Sequence, residues 1–221
     1  MKKVMIGTPC YSGQIDVWYA NSLCNTIKMS YEKDVEIIPM WVSFDALIQR
    51  ARNDTIQVAL ETGVDELIFI DSDIEWQPNW LFKLLDYDAD VVGGTYPKKG
   101  DKEEYVVRQL HRKPADSRGL IEVDGLGTGF VKISKKAMQY LWDTSVKYID
   151  PKDNKERRMI FDVVIQDENL ISEDIHAFNK LTTGGFKVYL DPTMTCNHIG
   201  GKKYKGDFEK WYSKKMPRRQ L

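Results

Sequence analysis

The feature that most constrains the fold is an apolar run at residues 67–70 (LIFI), followed at once by Asp71 and Asp73. Short runs rich in β-branched and aromatic residues are typical of strands that are buried on both faces of a sheet. Ligands of open α/β sheets bind beyond the carboxyl ends of the strands. Two carboxylates at that edge repel each other unless a cation lies between them, and a divalent ion that also holds phosphate is the natural candidate. In the alternative interpretation, both aspartates are turn or helix-cap residues.

Composition limits the class of protein. The chain has 221 residues, 42% of them hydrophobic, which suits one α/β domain with a sizeable core. Its net charge of −1 gives no general attraction to nucleic acid, and no apolar run is long enough to predict a transmembrane helix or the core of a signal peptide. Three cysteines without metal-site spacing indicate a reducing compartment. We therefore expect a cytoplasmic protein without a nucleic-acid partner, and the oligomeric state is open.

Strands and helices alternate over the first 100 residues. Hydrophobic patterning predicts strands at residues 3–7, 35–41, 67–70 and 90–95, and helices at residues 16–29, at residues 44–62 and from residue 78 onward. Ser43 is the predicted N-cap of the second helix, with Phe44 on its buried face. This pattern predicts a nucleotide-binding α/β half. The turn at residues 10–13 either presents backbone groups to a nucleotide or is an ordinary connection.

Arg52 lies beside the apolar face of the second predicted helix. From that position its guanidinium can lean over the sheet toward an anion, and guanidinium suits bidentate recognition of phosphate. The alternative is an arginine in contact with solvent only.

The second half of the chain has a different pattern, with predicted strands at residues 105–111, 120–123 and 186–190. The GLGTG sequence at residues 125–129 is not a dinucleotide fingerprint, because no helix follows it. It indicates instead a strand whose glycines leave room for a ligand. Ser134 is the predicted cap of a short helix, and the charged stretch at residues 147–158 is predicted to be a mobile lid.

Three further residues in this half are candidates for function. Glu173 and Asp174 open a predicted helix, where the helix dipole stabilises acidic side chains. Alternatively, one of them faces the pocket as a general base. His198 precedes Gly200 and Gly201, a pair that suggests backbone crowding near a site, although a lone histidine is more often structural or exposed.

Several segments together resemble a GT-A glycosyltransferase. They are RARN at residues 50–53, FIDSDI at 69–74, GTGF at 127–130, ED at 173–174, DP at 191–192 and HIG at 198–200. They follow the family's order over nearly the whole chain. The sequence is similar to small phage-type and large-virus-type members with a DxD motif and a late histidine. The resemblance implies a single GT-A (Rossmann-like) α/β domain with a mixed, mostly parallel central sheet flanked by helices. Residues 1–100 would bind the nucleotide and 101–200 the acceptor, with 201–221 as a C-terminal tail.

The resemblance also implies roles for individual residues. Asp71, Ser72 and Asp73 match the DxD motif, which binds Mn²⁺ or Mg²⁺ bridging the diphosphate of a nucleotide-sugar, and His198 matches the histidine that completes the metal site. The remaining implied residues are Thr8 and Pro9 at the nucleobase and ribose, Arg52 and Asn53 flanking the nucleotide, Gly127, Thr128 and Gly129 lining the donor-sugar and acceptor pocket, and Glu173 and Asp174 near the acceptor.

These residues predict a metal-dependent transferase that moves a sugar from a nucleotide-sugar, expected to be a UDP-sugar, to a hydroxyl of a glycan or glycoconjugate acceptor. Two alternatives remain. A sugar-phosphate nucleotidyltransferase also uses aspartates and Mg²⁺, but it normally has a basic, Gly-rich loop after the first strand, and residues 10–14 contain no Lys or Arg. A non-catalytic nucleotide- or sugar-binding module is the second. Stereochemistry, sugar, base and acceptor stay open, as does which of Glu173 and Asp174 contacts substrate.

Overall fold

The computed structural model describes residues 1–108, 114–151 and 153–215. Residues 109–111 of the predicted strand 105–111, and residues 216–221 of the predicted tail, lie outside the described residues. Within the described ranges the helices are α1 (Val17–Ser30), α2 (Ile48–Thr62), α3 (Pro78–Asp86), α4 (Lys135–Thr144), α5 (Glu173–Thr183) and α6 (Phe208–Lys215).

The strands of the described residues, in chain order, are β1 (Lys2–Cys10), β2 (Val35–Ser43), β3 (Glu66–Ile70), β4 (Ile74–Glu75), β5 (Val91–Thr95), β6 (Val107–Arg108), β7 (Ile121–Val123), β8 (Gly125–Leu126), β9 (Phe130–Ser134), β10 (Val146–Asp150), β11 (Lys155–Met159), β12 (Val164–Gln166), β13 (Asn169–Ile171), β14 (Val188–Thr195), β15 (Asn197–Ile199) and β16 (Lys203–Tyr204).

A seven-stranded sheet with the order β2-β1-β3-β9-β5-β14-β7 forms the centre of the molecule. The pairs β1–β2, β1–β3 and β5–β14 are parallel, whereas β3–β9, β5–β9 and β7–β14 are antiparallel. Strands β9 and β7 therefore run opposite to the other strands of this sheet. The predicted fold class is confirmed, because this is one α/β domain with a mixed, mostly co-directional central sheet, in agreement with a GT-A arrangement.

Helices cover both faces of the sheet, which explains the unbroken apolar run that predicted β3. Leu67 and Phe69 belong to a core with α2, α4, α5 and α6, whereas Ile68 and Ile70 belong to a second core with α1 and α3. Successive strand side chains point to opposite faces, so a strand buried on both faces has no polar alternation. The subdivision of the domain into nucleotide and acceptor halves stays a prediction.

The start of α2 corrects a prediction. Ser43 is the last residue of β2 rather than a cap, and Phe44 has a positive φ of 62° with a 78% exposed side chain. The chain turns back here, so that the Asp45 carboxylate accepts the Leu47 backbone N–H at 2.9 Å and binds Arg50. The helix then begins at Ile48, and Phe44 lies outside its buried face.

Residues 147–158 are also different from the prediction. Residues 147–150 of β10 pair with residues 155–158 of β11 in an antiparallel hairpin, whereas an irregular lid was predicted. Arg157 holds this hairpin to α2 through a 3.0 Å hydrogen bond to Asp54. Charged residues of the two strands pair with each other, as in Lys147 with Glu156, so the high charge of the segment is compatible with regular structure.

Several boundaries extend beyond the predicted ones. Pairing of β1 with β2 continues through Pro9↔Val42 to Cys10↔Ser43, beyond the predicted strand end at residue 7. Strand β14 likewise runs past Pro192, with an irregular register between Leu190 and Thr195. Among the described residues, none of the helices combines the length and the apolar character needed to cross a bilayer.

Candidate active site at the carboxyl edge of the sheet

A pocket of about 260 Å³ lies where the parallel strands end, and it brings together two segments that the sequence predicted to be functional. It is lined by Pro9, Cys10, Tyr11, Val42, Asp45, Ala46, Ile48, Asp71, Ser72, Asp73 and His198. The three residues 71–73 follow β3 directly, and His198 comes from far along the chain. The DxD segment and the late histidine therefore share one cavity, at the sheet edge where ligands of such folds bind.

Arg52 joins the DxD segment to the predicted acidic pair. Its Nη1 donates to Glu173 Oε1 at 2.6 Å, and its Nη2 donates to Asp71 Oδ1 at 3.2 Å. The guanidinium therefore bridges two carboxylates and is not an arginine in contact with solvent only, and its contact with phosphate stays a prediction. Helix α2 carries Arg52 to Asp71, which follows β3. The N-terminus of α5 carries Glu173 to the other nitrogen of the same guanidinium.

Burial makes this bridge electrostatically important. Only 3% of Arg52 is exposed, and its Nε has no hydrogen-bond partner among the described residues. Burial acts to lower the pKa of Arg52, but the carboxylates of Asp71 and Glu173 outweigh it, so that the pKa lies above its ordinary value. A permanently charged guanidinium therefore fixes the distance between the two acidic segments.

His198 is placed beside Asp73 by a small sheet. In the antiparallel pair β4–β15, His198 is opposite Ile74, the residue after Asp73. The Nδ1 atom of His198 lies 2.9 Å from the Pro97 carbonyl oxygen, and its Nε2 lies 3.6 Å from Asp73 Oδ2. A backbone carbonyl can only accept, so Nδ1 carries the hydrogen and Nε2 faces the carboxylate. Metal-binding histidines are commonly oriented in this way.

Asp73 has a lysine as a second neighbour, in addition to His198. Lys99 Nζ lies 2.5 Å from Oδ2 of Asp73, the same oxygen that faces His198. Partial burial acts to raise the pKa of Asp73, but the neighbouring His198 imidazole and Lys99 ammonium outweigh it and lower the pKa. The side chains of Lys99 and Asp73 are 39% and 35% exposed, so water and ions reach this pair.

The side chains around Asp73 provide some of the ligands that a divalent ion needs. Among the described residues, no group of three or more His, Cys, Asp or Glu side chains is gathered as a ready-made metal site. Asp73 and His198 nevertheless present one carboxylate and one oriented imidazole, and Mg²⁺-type ions are usually held by one or two carboxylates plus substrate phosphates. The residues therefore fit an ion that binds together with a diphosphate, with Asp71 contributing through the oxygen that Arg52 does not engage.

The two acids at the start of α5 have different surroundings. Glu173 is held by Arg52, as described above. The Oδ1 atom of Asp174 accepts the Ile175 backbone N–H at 2.7 Å and the hydroxyl of Ser172. Its Oδ2 has no hydrogen-bond partner within the part of the chain that the structure describes. Asp174 thus keeps one carboxylate oxygen available while the helix terminus fixes the other.

The glycines of the GTG segment serve packing rather than ligand entry, which corrects the predicted pocket. Gly127, Thr128 and Gly129 are all buried. A Cβ atom would lie 2.3 Å from the Tyr96 hydroxyl if added to Gly127, and 2.7 Å from the Tyr96 ring if added to Gly129. The room that the glycines leave is filled by Tyr96, whose hydroxyl accepts the Gly129 N–H at 3.1 Å and whose ring edge contacts His198.

Two predicted nucleotide contacts are likewise corrected. Thr8 is fully buried, and its hydroxyl lies 2.6 Å from the Tyr19 hydroxyl. Asn53 is buried too, and its amide group exchanges two hydrogen bonds with the backbone of Phe161. Both residues point into the core because β1 and α2 pack against other elements at these positions. Pro9, in contrast, lines the pocket, and its contact with the nucleoside stays a prediction.

Sequence reasoning missed Tyr96 and Lys99 at this site, and it named Cys10 and Tyr11 only as part of the turn at residues 10–13. A signal was present for Tyr96 and Lys99, since both follow β5 at the same sheet edge as Asp71. Cys10 ends β1, and Tyr11 follows it. Burial, together with the nearby Asp71 carboxylate, raises the pKa of Cys10 to about 11, so its thiol is protonated at neutral pH and is not a nucleophile.

Asp191, part of the DP segment in the resemblance, lies away from this pocket. Its buried carboxylate accepts hydrogen bonds from the Tyr87 hydroxyl at 2.8 Å and from Thr193, and it pairs with Lys83 at 2.7 Å. It therefore ties β14 to α3 and has a structural role.

Comparison with known proteins gives a likeness in structure alone. No protein-family model and no curated protein matches this sequence. The crystal structure of A197 from STIV superposes with a TM-score of 0.57 at 17% identity, covering 90% of this chain and 86% of that one. The two chains share a fold. At such low identity the likeness does not extend to activity.

Two other solved structures are more distant. A glycosyltransferase involved in the glycosylation of the major capsid of PBCV-1 has a TM-score of 0.38 at 10% identity, covering 63% of each chain. A nucleoside-diphosphate-sugar pyrophosphorylase from Vibrio cholerae RC9 has a TM-score of 0.44 at 11% identity, covering 85% of this chain and 90% of that one. Neither similarity is strong enough to choose between these two activities.

Proposed function

We propose that this protein is a divalent-metal-dependent glycosyltransferase that moves a sugar from a nucleotide-sugar to a hydroxyl group of a glycan or glycoconjugate. The observation that carries the proposal is the geometry of His198, whose Nδ1–H is fixed by Pro97 while its Nε2 faces Asp73 in the pocket that Asp71 also lines. With Nδ1 bound to a backbone carbonyl, Nε2 is directed at the DxD segment, which is the orientation of a metal-binding histidine.

In this proposal Asp73 and His198 would hold Mn²⁺ or Mg²⁺ together with the diphosphate of the donor, with Asp71 beside them. When bound, the ion acts as a Lewis acid toward the negative charge that develops on the leaving nucleoside diphosphate. Pro9 and Tyr11 border the same pocket and are the proposed neighbours of the nucleoside. UDP is the first nucleotide to test, following the sequence resemblance.

Asp174 is the proposed general base. The acceptor oxygen forms a bond to the anomeric carbon, and the bond from that carbon to the diphosphate oxygen breaks with its electron pair going to the diphosphate. The proton of the acceptor hydroxyl passes to Oδ2 of Asp174, the oxygen without a partner among the described residues. Glu173 and Asp71 share the guanidinium of Arg52, which ties the start of α5 to the DxD segment, and in this proposal that tie positions Asp174. This arrangement predicts inversion at the anomeric carbon.

Calorimetry with UDP in the presence and absence of Mn²⁺ tests the donor site, and incubation with a panel of UDP-sugars tests the reaction. Mn²⁺-dependent UDP binding followed by slow release of UDP supports the proposal. Release of pyrophosphate from a nucleoside triphosphate and a sugar phosphate would instead identify a nucleotidyltransferase. Binding without turnover across a panel of acceptors would identify a non-catalytic module.

A further inference from the structure

Lys99 occupies the side of Asp73 that the proposed ion would use. Its ammonium lies 2.5 Å from Asp73 Oδ2, and His198 Nε2 lies 3.6 Å from that same oxygen. One carboxylate oxygen thus already has a cation and an imidazole nitrogen as neighbours. A divalent ion that contacts Asp73 and His198 would meet the ammonium at close range, where like charges repel.

The backbone next to Lys99 is anchored, whereas its ammonium group is partly exposed to solvent. The adjacent Lys98 backbone N–H donates to the Glu104 carbonyl at 2.7 Å, which anchors the loop after β5. The stem of Lys99 passes over Gly200, where an added Cβ would lie 3.1 Å from its Cδ atom. A side chain at residue 200 would require the stem of Lys99 to shift by a few tenths of an ångström. The ammonium itself reaches solvent and can move.

We propose that Lys99 is a resident counter-ion of Asp73, which the divalent ion displaces and which then pairs with the diphosphate of the donor. This inference rests on the function proposed above. A solvent-exposed ion pair is weak, so the ion can displace it. The displaced ammonium remains within reach of the site, where the diphosphate is the new anion, and lysine binds phosphate as a mobile point charge.

The proposal makes opposite predictions for metal and nucleotide in one variant. In Lys99→Gln, Mn²⁺ alone should bind about three-fold tighter by calorimetry, because a competing exposed ion pair is gone. At saturating Mn²⁺, UDP should bind about ten-fold more weakly, because a charge-assisted hydrogen bond to phosphate is lost. Lys98→Gln is the matched control, since the adjacent Lys98 pairs with Glu104 instead, and both affinities should equal those of the wild type. Lys99→Arg should retain most of the UDP affinity.

Asp73→Asn separates failure of this inference from failure of the proposed site. If Asp73→Asn loses Mn²⁺-dependent UDP binding while Lys99→Gln behaves like the wild type, the metal site stands and the role of Lys99 is overturned. Weaker Mn²⁺ binding in Lys99→Gln would also overturn it. If the wild type shows no Mn²⁺-dependent binding of UDP, the proposed site and this inference both fail.

Discussion

Arg52 and Glu173 are 121 residues apart in sequence, yet Nη1 of the arginine donates to Oε1 of the glutamate at 2.6 Å inside the domain. The second arm of the same guanidinium reaches Asp71. The acidic segment proposed to hold the donor and the one proposed to serve the acceptor are therefore connected by one buried cation. The distance between the two halves of the site depends on this contact.

Replacing Arg52 should be costly for stability. Arg52→Met leaves the carboxylates of Asp71 and Glu173 together without their cation, and breaking a buried ion pair on one side typically costs about 3–5 kcal/mol. Urea unfolding measures the change. The double variant with Glu173→Gln should recover part of the loss, because one of the unpaired charges is removed. A purely additive result would show that the bridge does not couple the two segments.

Asp73 and His198 should differ in their importance for metal binding. Asp73→Asn should abolish Mn²⁺-dependent UDP affinity, since the charged ligand is lost while the fold is kept. His198→Ala should weaken Mn²⁺ binding about 10- to 100-fold, the range typical of changes around a metal site. Titration calorimetry measures both, with His176→Ala on α5 as the control. Wild-type Mn²⁺ affinity in His198→Ala would remove this residue from the site.

Asp174 should matter for turnover rather than for donor binding. Asp174→Asn removes the proposed proton acceptor and should lower kcat about 10²- to 10⁴-fold, with UDP affinity unchanged. Transfer to an acceptor, measured by UDP release, gives the rate. Glu173→Gln, in contrast, should also lower the free energy of unfolding, because it weakens the bridge to Arg52. Full turnover in Asp174→Asn would reject its role as the base.

Gly129 should tolerate no side chain while Tyr96 is present. In Gly129→Ala the new methyl group would lie 2.7 Å from the Tyr96 ring, and such overpacking typically costs about 1–3 kcal/mol. Urea unfolding measures the loss, which should be smaller when Tyr96 is first changed to Leu. Gly100→Ala is the matched control, because nothing lies within 4 Å of a Cβ added there. Equal losses in the two glycine variants would contradict the packing role.

Asp191 should give pH-dependent stability. Burial acts to raise its pKa, but hydrogen bonds from Lys83, Thr193 and Tyr87 outweigh it and lower the pKa. A carboxyl whose pKa is lowered on folding stabilises the protein above its unfolded pKa of about 4, and this contribution is lost as the pH falls through the folded pKa. Asp191→Asn should therefore cost about 1–3 kcal/mol at pH 7 and less at pH 3.

Urea unfolding at the two pH values checks this prediction, with the exposed Asp101→Asn as a control that should leave stability nearly unchanged at both. A loss in Asp191→Asn that stays constant with pH would mean that the charge of Asp191 does not contribute.

The elements whose signals are local were predicted from sequence. The apolar run of β3, the Ser134 cap of α4, whose hydroxyl accepts the Ala137 N–H, and the acids in the first turn of α5 each depend on neighbouring residues. Because Asp71 and Asp73 follow the predicted strand directly, the sequence also predicted that they lie at the carboxyl edge of the sheet, where ligands of such folds bind. The start of α2 was misplaced because a helical spacing of apolar residues continues through Phe44, where a positive φ breaks the helix.

By itself, the sequence determined the layered α/β architecture and the acidic edge, because strand and helix periodicity, and the polar residues that end a strand, are written in consecutive residues. Only the tertiary structure decided that Arg52 joins two acids, that Tyr96 fills the space beside Gly129, and that Lys99 and His198 meet at Asp73. Those contacts follow from strand pairing and helix packing between distant segments, and no local pattern specifies which distant partner a side chain will meet.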